Sequence, residues 1–250
     1  ACGHHLLGTA AMAAVDALKT VMEREAISGT IRYYGCPAEE YGSGKGFMAK
    51  AGVFDDLDIA LCWHPYHFNA VELSGALAVL MTRYTFHGIS ANPSHSGHLG
   101  RSALDAAELM GVGANYLREH IPRDAMLHYA YQNSGGVAAN VIPAKVEVNY
   151  IVRAEQMSTA IEVAKRVDKI AEGAALMTET TVEYRVGNAL ANYLSNPVVE
   201  NSLRRNMESI PLPHYTDEEL EYARSYRGVT DPKNIESYGR LLKETLGLKG

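Results

Sequence analysis

Apolar positions recur along the first part of the chain at helical spacing. Leu6, Leu7, Ala10, Ala11, Ala14, Val15 and Leu18 share one face, and Lys19, Glu23, Arg24 and Glu25 gather toward the far end. That pattern predicts an amphipathic helix within residues 1–26. A β-branched and aromatic run at 30–35 predicts a buried strand, ended by Pro37 and the glycines that follow. Residues 45–53 predict a second helix stopped by Gly52, and 59–63 a second short strand closed by His64 and Pro65.

The texture changes from about residue 77. Residues 78–88 alternate as a half-buried strand does, and a loop rich in Gly, Ser, Pro and His follows to residue 100. A helix is predicted from 101 to about 119, then strands at 126–132 and 145–154 about the Asn133-Ser134-Gly135-Gly136 turn. A long helix is expected over 158–176, with Ser158 as its N-cap and Glu162 and Arg166 as an i,i+4 pair. Residues 180–186 supply one more strand. The order β-α-β-β-α-β marks a ferredoxin-like domain inserted into the chain. Further helices are predicted at 197–208, 217–226 and 235–246.

Composition narrows the function classes. Among 250 residues, 47% are hydrophobic, yet no apolar run approaches the roughly 18 residues of a membrane span. Net charge is −6 with the basic residues scattered, which argues against nucleic acid as a partner. Three cysteines do not make a disulfide framework, so a reducing, cytoplasmic setting is expected. The chain opens directly into Ala1-Cys2-Gly3-His4-His5 without a Met or a preceding strand, and reads as an internal piece of a longer protein.

The chemistry-bearing residues sit where these elements change over. Glu39 and Glu40 follow the 30–35 strand, and an isolated Glu-Glu pair there reads first as a solvated turn. Cys2 and His4 stand at the start of the first helix, and His64 at the end of the 59–63 strand. In an open α/β sheet, ligands bind at the carboxyl ends of the strands. Thiolate, imidazole and carboxylate converging on one sheet edge make a mixed ligand set suited to Zn, Mn, Co or Ni. Adjacent residues point in different directions, so one carboxylate of the pair can hold a metal while the other faces a water or a substrate.

Ala1-Cys2-Gly3-His4, Cys36-Pro37-Ala38-Glu39-Glu40, Trp63-His64-Pro65, Gly100-Arg101-Ser102-Ala103-Leu104-Asp105-Ala106 and Ala139-Asn140-Val141-Ile142-Pro143 occur in the order found in the M20 family. The chain resembles its amidohydrolase branch, which includes indole-acetyl-amino-acid and hippurate hydrolases. Within that branch it is most similar to the aminobenzoyl-glutamate utilisation B group, through Gly3 to Ala11 and through residues 167–182. The resemblance covers the chain to about residue 190. It implies a two-domain α/β fold: a mixed-sheet, zinc-peptidase-like catalytic domain, residues 1–76 and 192–250, with an inserted lid and dimerisation domain, residues 77–191.

The resemblance also implies roles. Cys2, His4, Glu40 and His64 become ligands of one or two divalent ions, Zn or Mn; Glu39 becomes the general base, and Asn140 and Arg153 bind substrate. The implied reaction is hydrolysis of p-aminobenzoyl-glutamate to p-aminobenzoate and glutamate. The alternatives are another N-acyl, indole-acetyl or benzoyl amino acid, or a catalytically incomplete dimerising homologue. The implied partners are a second copy joined through the lid and a homologous second subunit. Two departures stand out. Relatives carry a His where this chain has Asn92; the alternatives are that His95 or His98 replaces it or that the contact is absent. The family also has catalytic segments on both sides of the stretch that these 250 residues match, one with a further ligand His.

Overall fold

The computed structural model describes residues 3–65, 69–71 and 76–230. The chain divides into two compact units, Ala1–Pro197 and Val198–Gly250. Among the described residues, no helix is long and apolar enough to cross a membrane.

The first unit is built around one sheet. Its strands are β1 (Ala78–His87), β2 (Met126–Asn133), β3 (Lys145–Ala154) and β4 (Thr181–Leu190), in the spatial order β2-β3-β1-β4 with every pairing antiparallel. The period-2 pattern of β1 turns Ala78, Leu80, Thr82, Tyr84 and Phe86 inward, and β3 does the same with Val146, Val148, Tyr150, Val152 and Ala154. Helices α5 (Ala103–Leu117) and α6 (Met157–Met177) cover this face. With β1 and β2 on either side of α5, and β3 and β4 on either side of α6, the chain order is the expected β-α-β-β-α-β.

Small residues let the two helices approach closely. The buried stripe of α5 is Ala103, Ala106, Ala107, Met110, Gly111, Ala114 and Leu117, and that of α6 is Ala160, Val163, Ala164, Val167, Ala171, Ala174 and Ala175. A methyl group at Gly113 would lie 2.6 Å from the Ile170 side chain, so α5 needs a glycine there. Tyrosines fill the space between helices and sheet. The Tyr129 and Tyr150 rings stack at 4.9 Å, and Tyr84 packs edge-on against Tyr150 at 5.6 Å. Tyr84 and Tyr150 are fully buried, each contributing about 2 to 3 kcal/mol, while Tyr129 stays partly open to solvent.

Caps set the helix starts. Ser102 accepts from the Asp105 amide at 3.1 Å and donates back to the Asp105 carboxylate at 2.8 Å, which fixes α5. The N-cap of α6 is Gln156 and not Ser158, which lies inside the first turn. No Glu162–Arg166 pair forms; Arg166 donates instead to the His120 carbonyl at 2.6 Å.

The N-terminal stretch contributes α1 (His5–Arg24), a single turn α2 (Glu39–Gly42) and α3 (Gly44–Lys50). Residues 30–35 and 59–63, expected as strands of a mixed sheet, carry no strand assignment, and the described sheet is wholly antiparallel. A strand exists only with a ladder partner, and among the described residues neither segment has one. Side-chain bonds to main chain fasten α1 instead. The Tyr33 hydroxyl donates to the Gly8 carbonyl at 3.1 Å and the Trp63 indole to that of Leu7 at 3.3 Å.

The loop after β1 holds α4 (Pro93–Ser96), capped by Asn92, whose side chain accepts from the Ser94 amide at 3.0 Å. The second unit contains α7 (Pro197–Ser209), which starts just before it, and α8 (Asp217–Thr230). Thr216 and Glu219 form a capping box at the start of α8, with bonds of 2.8 and 3.2 Å, and the bonds from Thr216 lower the Glu219 pKa. The helix expected at 235–246 lies outside the described residues.

Candidate metal centre

Two tight turns bring the chemistry together. Gly3 has φ of +69°, and a methyl group there would lie 3.1 Å from the Pro65 ring, so a glycine lets His4 stand beside the 64–65 segment. On the other side, α2 is bracketed by two non-glycine residues in the left-handed region, Ala38 (φ 56°, ψ 40°) and Ser43 (φ 47°, ψ 47°). Each such residue costs about 1 to 2 kcal/mol. Gly44 is packed so closely that a methyl group would lie 2.0 Å from the Pro37 carbonyl. This strained turn carries Glu39 and Glu40, both solvent-exposed.

His4 is the hub. Its Nδ1 lies 3.5 Å from Glu40 Oε1, and its Nε2 lies 3.1 Å from Nε2 of His64. The two rings meet edge to face, at 87° with centroids 5.2 Å apart. Ligand atoms of His4, Glu39 and Glu40 all fall within 4.8 Å of one another. The structure therefore joins four residues singled out in the sequence: His4, Glu39, Glu40 and His64. Cys2 lies outside the described residues.

Hydrogen bonding sets the state of these rings. Nδ1 of His64 is 2.7 Å from the Pro65 carbonyl, which can only accept, so that nitrogen carries the proton. In the neutral ring the Nε2 lone pair then faces His4. A proton on His4 Nε2 makes this 3.1 Å contact a hydrogen bond to that lone pair; with the proton on Nδ1 instead, two lone pairs face each other. Two bare nitrogens at that separation repel unless a proton or a cation stands between them. Two ligand nitrogens on one tetrahedral zinc, each bound at about 2.05 Å, lie about 3.3 Å apart. The Glu40 carboxylate stands on the far side of the ring, 3.5 Å from Nδ1. Imidazole and carboxylate donors suit Zn and Mn alike. Because Glu40 faces Nδ1 and His64 faces Nε2, a single ion cannot use both sides of the His4 ring.

Other sequence-predicted positions stand apart from this cluster. Asn140 lies exposed in the turn at 139–140. Arg153 is exposed on β3, in register with Val79 and Met126. No described hydrogen bond or ion pair links either residue to His4, Glu39, Glu40 or His64. Asn92 spends its side chain on the cap of α4, and His95 and His98 are exposed on that helix and the 3-10 turn after it.

Two side-chain pairings had no sequence signal, one of them at the α2 turn. Ser43 is buried and donates its hydroxyl to the Asn188 side chain, 145 residues away on β4. Arg32 and Asp56 form a two-pronged exposed pair, one contact at 2.6 Å, and the guanidinium lowers the Asp56 pKa. An i-to-distant pairing leaves no periodicity, so only the turn glycines around Ser43 hinted at a constrained loop.

No protein-family model matches the chain. It is 50% identical over 223 residues to a p-aminobenzoyl-glutamate hydrolase subunit of Escherichia coli K12, covering 89% of this chain and 46% of that one. The chain is thus similar to M20-type hydrolases. Another relative is the Xaa-Arg dipeptidase of Mus musculus, 31% identical over 218 residues, 84% of this chain and 50% of that one. Among solved structures, the aminobenzoyl-glutamate utilization protein from Klebsiella pneumoniae superimposes with a TM-score of 0.55, covering 77% of this chain and 53% of that one. At 24% identity that likeness speaks for the fold alone. The chain spans about half the length of the curated relatives it matches.

Proposed function

We propose that this chain is a metal-dependent amidohydrolase that cleaves N-acyl amino acids, with p-aminobenzoyl-glutamate split to p-aminobenzoate and glutamate as its reaction. The observation that carries the reading is the convergence of His4, His64, Glu39 and Glu40, supported by 50% identity to a hydrolase subunit named for that substrate. Cys2, His4, Glu40 and His64 would hold one or two divalent ions, Zn or Mn. A bound ion of this kind lowers the pKa of its water and polarises a carbonyl. Glu39, exposed and adjacent in sequence to Glu40, takes the proton of the attacking water and returns it to the leaving nitrogen. Arg153 offers a planar fork for the substrate carboxylate and Asn140 a donor for its carbonyl.

In the same reading, residues 1–76 and 192–250 form the catalytic domain, and 77–191 are an inserted lid through which two copies pair. The relative is named as one subunit of its hydrolase, which supports a homologous second subunit as a further partner. A reducing, cytoplasmic location fits Cys36 and Cys62, which are free thiols.

The test is release of glutamate from p-aminobenzoyl-glutamate by the chain supplied with Zn or Mn, beside a panel of benzoyl-, indole-acetyl- and arginine-terminated dipeptide substrates. Turnover of the glutamate conjugate is expected. The likeness to a dipeptidase favours a second reading, an amidohydrolase for another amino-acid amide, and turnover of the panel alone would select it. No turnover of any member would contradict both.

A further inference from the structure

Ser43 is buried at the end of α2, while Glu39 and Glu40 on the same turn are exposed. Both ends of that turn, Ala38 and Ser43, hold left-handed backbone that L-residues avoid. A turn strained at both ends, with Glu39 and Glu40 open to solvent, relaxes unless something outside it fixes it. Besides the main-chain bonds that Gly46 and Phe47 donate to the Ser43 carbonyl, one side-chain bond among the described residues ties it to the sheet. The Ser43 hydroxyl donates to Asn188 Oδ1 on β4.

The strand is built to deliver that acceptor. The β1–β4 ladder pairs Met81 with Asn188 but Thr82 with Val186, so Gly187 is left over as a bulge. A bulge bends its strand and re-aims the side chain beside it. Asn188 is that side chain.

We propose that Ser43 and Asn188 are a positioning pair: their hydrogen bond locks the turn that presents Glu39 and Glu40 to His4, and so ties the sheet to the carboxylates of the metal centre. This rests on the metal-centre reading above. Neither residue touches substrate or ion; both act through the conformation of residues 38–43. Removing either partner frees the same turn, so the two losses overlap and do not add.

The experiment uses the 250-residue chain and four variants, Ser43→Ala, Asn188→Leu, the double variant and Asn188→Asp, which keeps the acceptor oxygen. Zn2+ affinity is measured by competition with a chromogenic chelator, amide exchange of residues 38–44 is followed without metal, and thermal unfolding monitors the sheet. Ser43→Ala and Asn188→Leu are each expected to weaken Zn2+ binding about tenfold, the scale of losing an outer-sphere partner. The double variant should be no worse than either single one. Asn188→Asp should bind within about twofold of the parent. Exchange in 38–44 should quicken in the same order, with the unfolding midpoint of the sheet unchanged. Parent-like Zn2+ affinity and exchange in Ser43→Ala would overturn the proposal, as would additive losses in the double variant. A parent chain that takes up no Zn2+ would contradict the metal reading alone; unchanged exchange in Ser43→Ala would still overturn the pair by itself. If Asn188→Leu fails to fold, Ser43→Gly removes the hydroxyl while accepting the left-handed backbone, and the exchange comparison stands on it.

Discussion

His4 faces a carboxylate with one nitrogen and a second imidazole with the other, 3.5 and 3.1 Å away. Its place beside Gly3, and the carboxylate pair after Pro37, are visible in the sequence because both sit at turns that glycine and proline announce. The division of labour within Glu39 and Glu40 is what the family resemblance implies; ligand atoms of both lie within 4.8 Å of His4, and Glu39 is the base in the proposed reaction. Glu39→Gln should therefore lower turnover at least about 100-fold while the chain still binds its metal. Metal content and steady-state rate on the same sample check this; retained turnover would remove Glu39 from the role.

A second residue-scale prediction concerns Asp168. It accepts from the Tyr84 hydroxyl at 2.5 Å, and desolvation raises its pKa above the ordinary carboxylate value. The Tyr84 bond pulls the other way and nearby Glu172 adds to the rise. A carboxylate raised in the folded state favours folding at low pH, and that contribution is lost as pH rises through the folded value. Carbon-13 titration should place Asp168 above free aspartate, move it higher in Tyr84→Phe and lower in Glu172→Gln. A shift in the opposite direction in either variant would contradict this balance of causes.

At the scale of elements, the β-α-β-β-α-β unit is legible in the sequence to within about four residues at each boundary. Its strands alternate and its helices carry a continuous small-residue stripe, because each packs one face against a partner within the same 120 or so residues. Residues 30–35 and 59–63 have equally strand-like composition, yet no ladder includes them among the described residues. Composition reports a side chain's preference for a pleated, buried surface and not whether a neighbouring strand is at hand. Ser43 and Asn188 were illegible for a related reason: each is ordinary in its own segment, and only the fold joins them. The close α5–α6 contact yields a prediction at this scale. Gly→Ala inside a helix ordinarily stabilises by about 0.5 to 1 kcal/mol. Gly113→Ala should instead destabilise by about 1 kcal/mol, because its methyl group meets Ile170. In an Ile170→Ala background the same change should become stabilising. Chemical denaturation of the four proteins measures both numbers.

For the whole molecule, a net charge of −6 gives no general attraction for an anionic glutamate conjugate, so recognition must be local. Arg153 is the residue proposed to supply it, and the metal centre the place where chemistry follows. The chain matches about half the length of its M20 relatives, and within that half it already carries the imidazole and carboxylate donors in contact. Whether those donors hold an ion is the question on which the functional reading turns. It is answered by elemental analysis of metal per chain after gel filtration, with Zn or Mn supplied beforehand, on the parent and on a His4→Ala/His64→Ala variant. One or two ions retained by the parent and none by the variant is the expected result. A parent that retains no ion, or a variant that retains as many as the parent, would contradict the metal centre at His4 and His64.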